Sequence, residues 1–165
     1  GYPIHGYIGT TNQIKGWDKN WIKCFINFRI EPQLELLEKD FLAIDIKNKL
    51  KTKIESELDE HEPFNSLVHG DLWSGNVGVN QINKGVIFDP ACWWADCEVD
   101  IAMSRLFGNF RSEFYDNYHK IIPIKKGFEK RIIIYNFYHI LNHANIFGGS
   151  YLYQVQSYIK NILNM

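Results

Sequence analysis

The sequence lacks the features that would place it in several common classes of protein. Its three cysteines are too few and too widely spaced for a disulfide framework or a zinc site, which favours reduced thiols in the cytosol. No apolar run approaches the roughly 18 residues that a membrane-spanning helix needs. With 18 Lys and Arg against 19 Asp and Glu, the chain has no basic excess for a nucleic-acid backbone. We therefore expect a cytoplasmic protein that binds neither nucleic acid nor a membrane.

The residues that are present describe an ordinary globular domain rich in helix. Hydrophobic residues make up 45% of the chain and charged residues 22%, and the aromatic share of 15% predicts a dense core. Two short β-rich runs flank the polar turn Asn80–Lys84, which indicates a hairpin. Apolar spacing predicts helices over 17–29, 33–41, 43–58, 98–107, 113–119, 127–147 and 151–163. We predict a single, mainly α domain over residues 1–165, with a small β-hairpin and with Trp93–Cys97 as a loop.

The candidate catalytic residues lie in one polar stretch, residues 69–76 (HGDLWSGN), and at Asp89, which follows the next apolar run. Phosphoryl transfer from ATP needs a carboxylate to receive the proton of the attacking hydroxyl, and an amide and a second carboxylate to hold Mg²⁺. Asp71, Asn76 and Asp89 supply these groups in the order that the chemistry requires. The kinase pattern H-R-D-L-x-x-x-N is matched, except that Gly70 replaces the arginine.

The hairpin would bring the two expected metal ligands together. Asn76 precedes its first strand and Asp89 follows its second, so both side chains could reach one cation. Mg²⁺ prefers oxygen ligands and keeps several waters, so two protein ligands and phosphate oxygens suffice. We therefore predict Asp71 as the catalytic base, Asn76 and Asp89 as Mg²⁺ ligands, and ATP as the phosphoryl donor.

Several segments together resemble the fructosamine kinase (ketosamine 3-kinase) family, which belongs to the aminoglycoside/choline phosphotransferase group and has a protein-kinase-like fold. The segments that carry the resemblance are 7–13, 74–76, 88–91, 98–108 and 138–143. The resemblance implies the C-terminal lobe of a kinase-like fold, with residues 1–16 as the interlobe segment. It also implies phosphorylation of a sugar hydroxyl of a ketosamine of the fructosamine or ribulosamine type.

Two residues are expected to support the catalytic loop. The Asp100 carboxylate could accept hydrogen bonds from backbone N–H groups of the loop and so hold Asp71 in place. The alternative for Asp100 is an acid in the first turn of a helix, favoured there by the helix dipole. His69 is expected to be a packed, hydrogen-bonded residue rather than a base.

Tryptophans and histidines supply the candidates for the acceptor site. Trp73, Trp93 and Trp94 could form an apolar wall for a sugar, and the alternative is that they belong to the core. Adjacent tryptophans cannot easily both point inward, so we expect one of Trp93 and Trp94 to be exposed. His139 and His143 have the spacing of a helical zinc pair but lack the accompanying glutamate, which favours hydrogen-bonded histidines that could border the acceptor site.

The chain also departs from the family pattern. Residues 1–16 contain neither a Gly-rich loop followed by a strand nor a Val-Ala-x-Lys motif, so we expect the N-terminal lobe to be absent and the chain alone to be inactive. The missing lobe would be a partner in the same or a separate chain. Two alternatives stay open: an aminoglycoside- or choline-type phosphotransferase, and a non-catalytic remnant that acts as a binding module.

Overall fold

Helices dominate the part of the chain that the structure describes, which is residues 1–38 and 41–165 of a computed structural model. The helices are α1 Trp21–Phe25, α2 Glu31–Leu36, α3 Ile44–Leu58, α4 Glu98–Leu106, α5 Ser112–Ile121, α6 Phe128–Phe147 and α7 Ser150–Leu163. The strands are β1 Gly6–Ile8, β2 Thr11–Gln13, β3 Asn65–Val68, β4 Val77–Val79, β5 Gly85–Ile87 and β6 Trp93–Asp96. They form the antiparallel pairs β1–β2, β3–β6 and β4–β5. The predicted mainly helical chain and the hairpin β4–β5 are confirmed.

The predicted break between the first two helices is wrong. A π-helical turn, Ile26–Ile30, joins α1 directly to α2. Pro32 lies within the first turn of α2, where the absence of an N–H is tolerated, so it does not interrupt the helix. The predicted extension of the second helix to Phe41 is also wrong, because Leu37 has an extended backbone that ends α2. Lys39 and Asp40, which that prediction included, lie outside the described residues.

The core surrounds α6, which packs against α4 and α7 and is buried along most of its length. Aromatic rings fill the space between α1, α6 and β6: Trp21 stacks on Trp93 with ring centroids 5.7 Å apart and on Phe25 at 5.5 Å. The Trp21 indole N–H donates to the hydroxyl of Tyr135, 3.1 Å away. The high aromatic content therefore builds a dense core.

Among the described helices, none combines the length and the apolar character that crossing a bilayer requires.

The segment predicted as a loop, Trp93–Cys97, contains a strand instead. Residues of β6 pair with β3 in the register Val68↔Trp93 and Leu67↔Trp94. The two strands are distant in sequence, so the local pattern could not reveal their pairing. Because side chains alternate along a strand, Trp93 points into the core and Trp94 points out. Strand β3 ends at Val68, so this sheet fixes the point at which the loop of residues 69–76 begins.

Buried charges tie β6 and α4 to α6. The Arg131 guanidinium donates two hydrogen bonds to the carboxylate of Glu98, at 2.6 and 2.9 Å. Asp96 accepts a hydrogen bond from the hydroxyl of Tyr135 at 2.8 Å and contacts His61 at 2.6 Å. Bidentate charged pairs of this kind fix orientation as well as contribute energy. The helix that carries Asp100 is therefore held rigidly against the core.

Candidate active site

The backbone of residues 69–76 is shaped by contacts from two other segments. Gly70 has a φ of 80°, and a Cβ at that position would lie 2.2 Å from the carbonyl oxygen of Ala91, so only glycine fits there. The Asp100 carboxylate accepts the N–H of His69 at 2.7 Å and the N–H of Gly70 at 2.8 Å. Asp100 thus contacts the loop backbone immediately before Asp71.

His69 links the same loop to the hairpin. Its Nε2 lies 2.9 Å from the carbonyl oxygen of Phe88, and its Nδ1 lies 3.3 Å from the backbone N–H of Asp71. A tautomer with hydrogen on Nε2 satisfies both contacts, since Nε2 then donates and Nδ1 accepts. His69 is buried, so it packs under the loop rather than facing solvent.

Asp71 and Asn76 are in direct contact. The Asn76 amide Nδ2 donates to the backbone oxygen of Asp71 and to its Oδ2, each at 2.9 Å. The short helical turn Ser74–Asn76 makes this reach possible by folding the chain back. Burial raises the pKa of the Asp71 carboxyl above its ordinary value, and the Asn76 hydrogen bond offsets part of this rise. The negative charge of Asp89 adds a smaller rise in the pKa of Asp71, so the two carboxylates interact.

The hairpin positions Asp89 beside Asn76. Val77 pairs with Ile87, and one residue beyond this pair the N–H of Phe88 donates to the carbonyl oxygen of Asn76 at 3.1 Å. Asp89 follows with a φ of 53°, in the left-handed region that aspartate tolerates better than most residues. Its side chain is exposed. The hairpin therefore brings the ends of its two strands, and with them residues 76 and 89, to one place.

The donor atoms at this place suit a magnesium ion. The Asn76 Nδ2 is occupied by Asp71, which leaves the amide Oδ1 as the atom that can face a cation. Among the described residues, no donor forms a hydrogen bond with the Asp89 carboxylate, and this side chain is exposed. Carboxylate and amide oxygens are hard ligands, which Mg²⁺ prefers. Asn76 and Asp89 could therefore hold the ion, with Asp71 next to them.

A cavity of about 310 Å³ opens beside Asp71. Trp73 and His143, both predicted at the acceptor site, line this cavity. Phe107 lies between them, with its ring centroid 6.0 Å from that of Trp73 and 4.7 Å from that of His143. The remaining lining residues are Ile8, Gly9, Asn142, Ile146, Phe147 and Tyr151. A space next to the candidate base, lined by aromatic rings and an amide, could admit a small organic acceptor.

Trp93 cannot contact a substrate, contrary to the prediction. Its side chain is 0% exposed, stacked on Trp21 on one side and beneath the guanidinium of Arg29, which lies 4.2 Å from the ring centroid. Trp94 is 43% exposed but lines a different cavity, together with Trp17 and other residues and without Asp71. The expectation that one of the adjacent tryptophans is exposed agrees with the structure. The strand alternation that buries Trp93 also directs Trp94 away from Asp71.

His139, predicted as a possible border of the acceptor site, does not line the cavity beside Asp71. It is fully buried, and within the described residues neither of its ring nitrogens has a hydrogen-bond partner. Burial lowers the pKa of His139 to about 3, so the ring is neutral. The expected hydrogen bonds to the His139 ring are therefore absent from the described part of the chain. His143 Nδ1 instead lies 2.8 Å from the His139 carbonyl oxygen, which orients the His143 ring.

Three further aromatic residues at the cavity were not predicted: Phe107, Phe147 and Tyr151. Phe107 directly follows the last residue of α4, and the other two lie on either side of Gly148-Gly149. Their spacing in sequence gives no sign that they meet, because they come from separate helices. The one available signal was an excess of aromatic residues near His143.

Comparison with known proteins identifies the class of the chain. A sequence model of the fructosamine kinase family matches residues 1–165. The chain therefore belongs to the fructosamine kinase family, as the resemblance of its motifs predicted.

Individual relatives place the chain within this family. It is 45% identical over 165 residues to a probable ketoamine kinase of Vibrio parahaemolyticus, covering 99% of this chain and 57% of that protein. It is 36% identical over 165 residues to the ketosamine-3-kinase of Mus musculus, covering 98% and 53% of the two chains. A crystal structure of a candidate fructosamine-3-kinase from Haemophilus somnus superposes with a TM-score of 0.87 at 32% identity, covering 99% and 56%. The chain thus spans little more than half the length of these relatives.

Proposed function

We propose that this chain is the C-terminal, catalytic lobe of a kinase that transfers the terminal phosphoryl group of ATP to a sugar hydroxyl of a ketosamine. The named activities of the ketosamine-3-kinase from mouse and a ribulosamine 3-kinase from rice, 39% identical over 170 residues, support this acceptor class. The observation that carries the proposal is the contact of Asn76 with Asp71, with Asp89 brought beside them by the hairpin.

In this proposal Asp71 is the general base. Its raised pKa makes it a stronger proton acceptor than an ordinary carboxylate, and the Asn76 amide holds it in place. Asn76 Oδ1 and the Asp89 carboxylate are the oxygen ligands that would hold the magnesium ion. A bound Mg²⁺ would neutralise charge on the phosphates. Asp100 acts as a positioning residue, since it accepts two backbone N–H groups just before Asp71.

The cavity beside Asp71 receives the acceptor. A hydroxyl placed there lies within reach of the base, while Trp73 and His143 contact the sugar. Aromatic faces pack against the apolar faces of sugars, and the hydroxyl groups need polar partners such as Asn142. Asp71 and these three side chains line one continuous space, which supports binding of a small polyhydroxylated molecule.

The phosphates of ATP also need a cover that positions them for transfer. The described helices and short sheets offer no Gly-rich loop between strands, and the relatives are nearly twice as long. We infer that an N-terminal lobe, in the same or a separate chain, supplies this cover, and that residues 1–165 alone turn over little or nothing.

A cytoplasmic location fits the free thiols of Cys24, Cys92 and Cys97.

Two other functions compete with this one. An aminoglycoside- or choline-type phosphotransferase would bind a cationic acceptor, usually through an acidic groove. Among the described residues that line this cavity, Asp71 is the only one with a carboxylate. A non-catalytic binding module would need no base, whereas this chain has the Asp71–Asn76 contact and both candidate magnesium ligands.

The test is phosphoryl transfer by the full-length protein that contains this chain. Mg²⁺-dependent ADP release should appear with a fructosyl or ribulosyl amine, and much less with an aminoglycoside or choline. Asp71→Asn should lower kcat on the order of 10²-fold or more, as loss of a positioned base does. Asp45→Asn is the control, since this acid is exposed on α3 and away from the cavity. Equal rates for the parent and Asp71→Asn would show that Asp71 is not the base.

A further inference from the structure

The mouth of the acceptor cavity is lined by several aromatic side chains, which is more apolar surface than binding of a polar sugar requires. We define the aromatic rim as Phe107, His143, Phe147 and Tyr151. Its rings contact one another: the centroid of His143 lies 4.7 Å from Phe107, 5.1 Å from Tyr151 and 5.7 Å from Phe147. Phe147 is 66% exposed although it lines the cavity, so it marks the mouth. The mouth therefore offers aromatic surface beyond the polar groups near Asp71.

A double-glycine corner holds this rim in shape. Gly148 and Gly149 have φ values of 60° and 56°, a region that residues with a Cβ rarely adopt. The corner ends α6 at Phe147 and starts α7, and Phe147 and Tyr151 come to lie with ring centroids 6.0 Å apart. Because two consecutive glycines set the turn, the positions of both rings follow from the backbone rather than from a flexible loop.

The chemistry of a ketosamine suggests what covers the rim. Its sugar part is polar throughout, and its hydroxyl groups are matched by Asp71 and Asn142 deeper in the cavity. Its amine carries a carbon substituent, which differs from one ketosamine to another. Apolar or aromatic carbon placed against exposed rings gains free energy by leaving water, whereas hydroxyl groups there would lose hydrogen bonds.

We propose that the aromatic rim binds the substituent on the amine of the ketosamine, and that it selects acceptors whose substituent is bulky and apolar or aromatic. This proposal rests on the proposed kinase activity, since it assigns the part of the same acceptor that lies beyond the sugar. Phe147 and Tyr151 are then specificity-determining residues, and the double-glycine corner sets the size of the mouth.

The experiment compares two acceptors with the full-length protein: the fructosyl derivatives of benzylamine and of methylamine. The parent should show a kcat/KM on the order of 10-fold higher for the benzyl compound, the scale of apolar discrimination by a pocket. Tyr151→Ser and Phe147→Ser should each reduce this ratio severalfold, because KM should rise more for the benzyl compound than for the methyl compound. Tyr151→Phe should keep the ratio, because the ring and not the hydroxyl makes the contact.

Tyr153→Ser is the matched control for Tyr151→Ser. Tyr153 lies on α7 like Tyr151, but it is exposed and does not line the cavity. Phe147→Ser keeps the test valid if Tyr151→Ser does not fold, since the exposed Phe147 ring contributes little to the core. Equal kcat/KM for the two acceptors, or a preference that survives both rim variants, would overturn this inference and leave the proposed function standing. No phosphorylation of either acceptor would overturn both.

Discussion

Asp100→Asn tests how the loop of residues 69–76, which contains the proposed base Asp71, is held in place. The two carboxylate oxygens of Asp100 each accept one backbone N–H, from Gly70 to Oδ1 and from His69 to Oδ2. Asparagine has one oxygen and one NH₂ group in their place. One of the two N–H groups would then face a donor, so the loop next to Asp71 should open more often while the rest of the fold is kept.

The size of the effect follows from the two contacts. Leaving one largely buried N–H without an acceptor costs about 1–3 kcal/mol. The surviving hydrogen bond loses its charge and weakens by about 1 kcal/mol. Burial raises the pKa of Asp100, so removing its charge also relieves a desolvation cost and reduces the total. We expect a net cost of about 2 kcal/mol, which corresponds to roughly 30-fold more frequent local opening.

Native-state hydrogen exchange at the amides of His69 and Gly70 measures this opening directly. Both amides should exchange roughly 30-fold faster in Asp100→Asn than in the parent protein. Glu129→Gln is the control, because this carboxylate forms an ion pair with Arg105 at the surface and should leave both rates unchanged. Unaltered protection of both amides in Asp100→Asn would refute the idea that the carboxylate holds the loop.

Three further predictions concern stability. Because the pKa of Asp71 is raised in the folded protein, its contribution to stability is fully present below the ordinary carboxyl pKa of about 4 and is lost as pH rises through the raised value. The Tm of Asp71→Asn relative to the parent should therefore improve from pH 4 to pH 7, and a constant difference would contradict this. Trp93→Ala should lower the free energy of unfolding by about 3–5 kcal/mol in urea titrations, whereas Trp94→Ala should cost much less; similar losses would contradict the assigned orientations. Glu98→Gln should cost about 3–5 kcal/mol by the same method, because it leaves Arg131 buried without its charged partner, and a neutral result would show that the pair is dispensable.

The sequence alone determined the parts of this protein that depend on neighbours along the chain. The two β-rich runs around the polar turn Asn80–Lys84 were enough to predict the hairpin, and with it the placement of Asn76 and Asp89 at its ends. Apolar spacing located α3, α4, α6 and α7 to within a few residues, because a helix has a regular period. The family followed from local motifs, and the match over residues 1–165 confirmed it.

The tertiary structure alone decided which side chains share a space. Trp93 and Trp94 look alike in sequence, but the pairing of β6 with β3 buries the first and turns the second away from Asp71. His139 and His143 lie one helical turn apart, yet only His143 reaches the cavity. The cavity joins residues from β1, the loop of residues 69–76, the C-terminal cap of α4, α6 and α7, which meet only when the core packs. Such contacts depend on packing between distant segments, and no local pattern of residues encodes them.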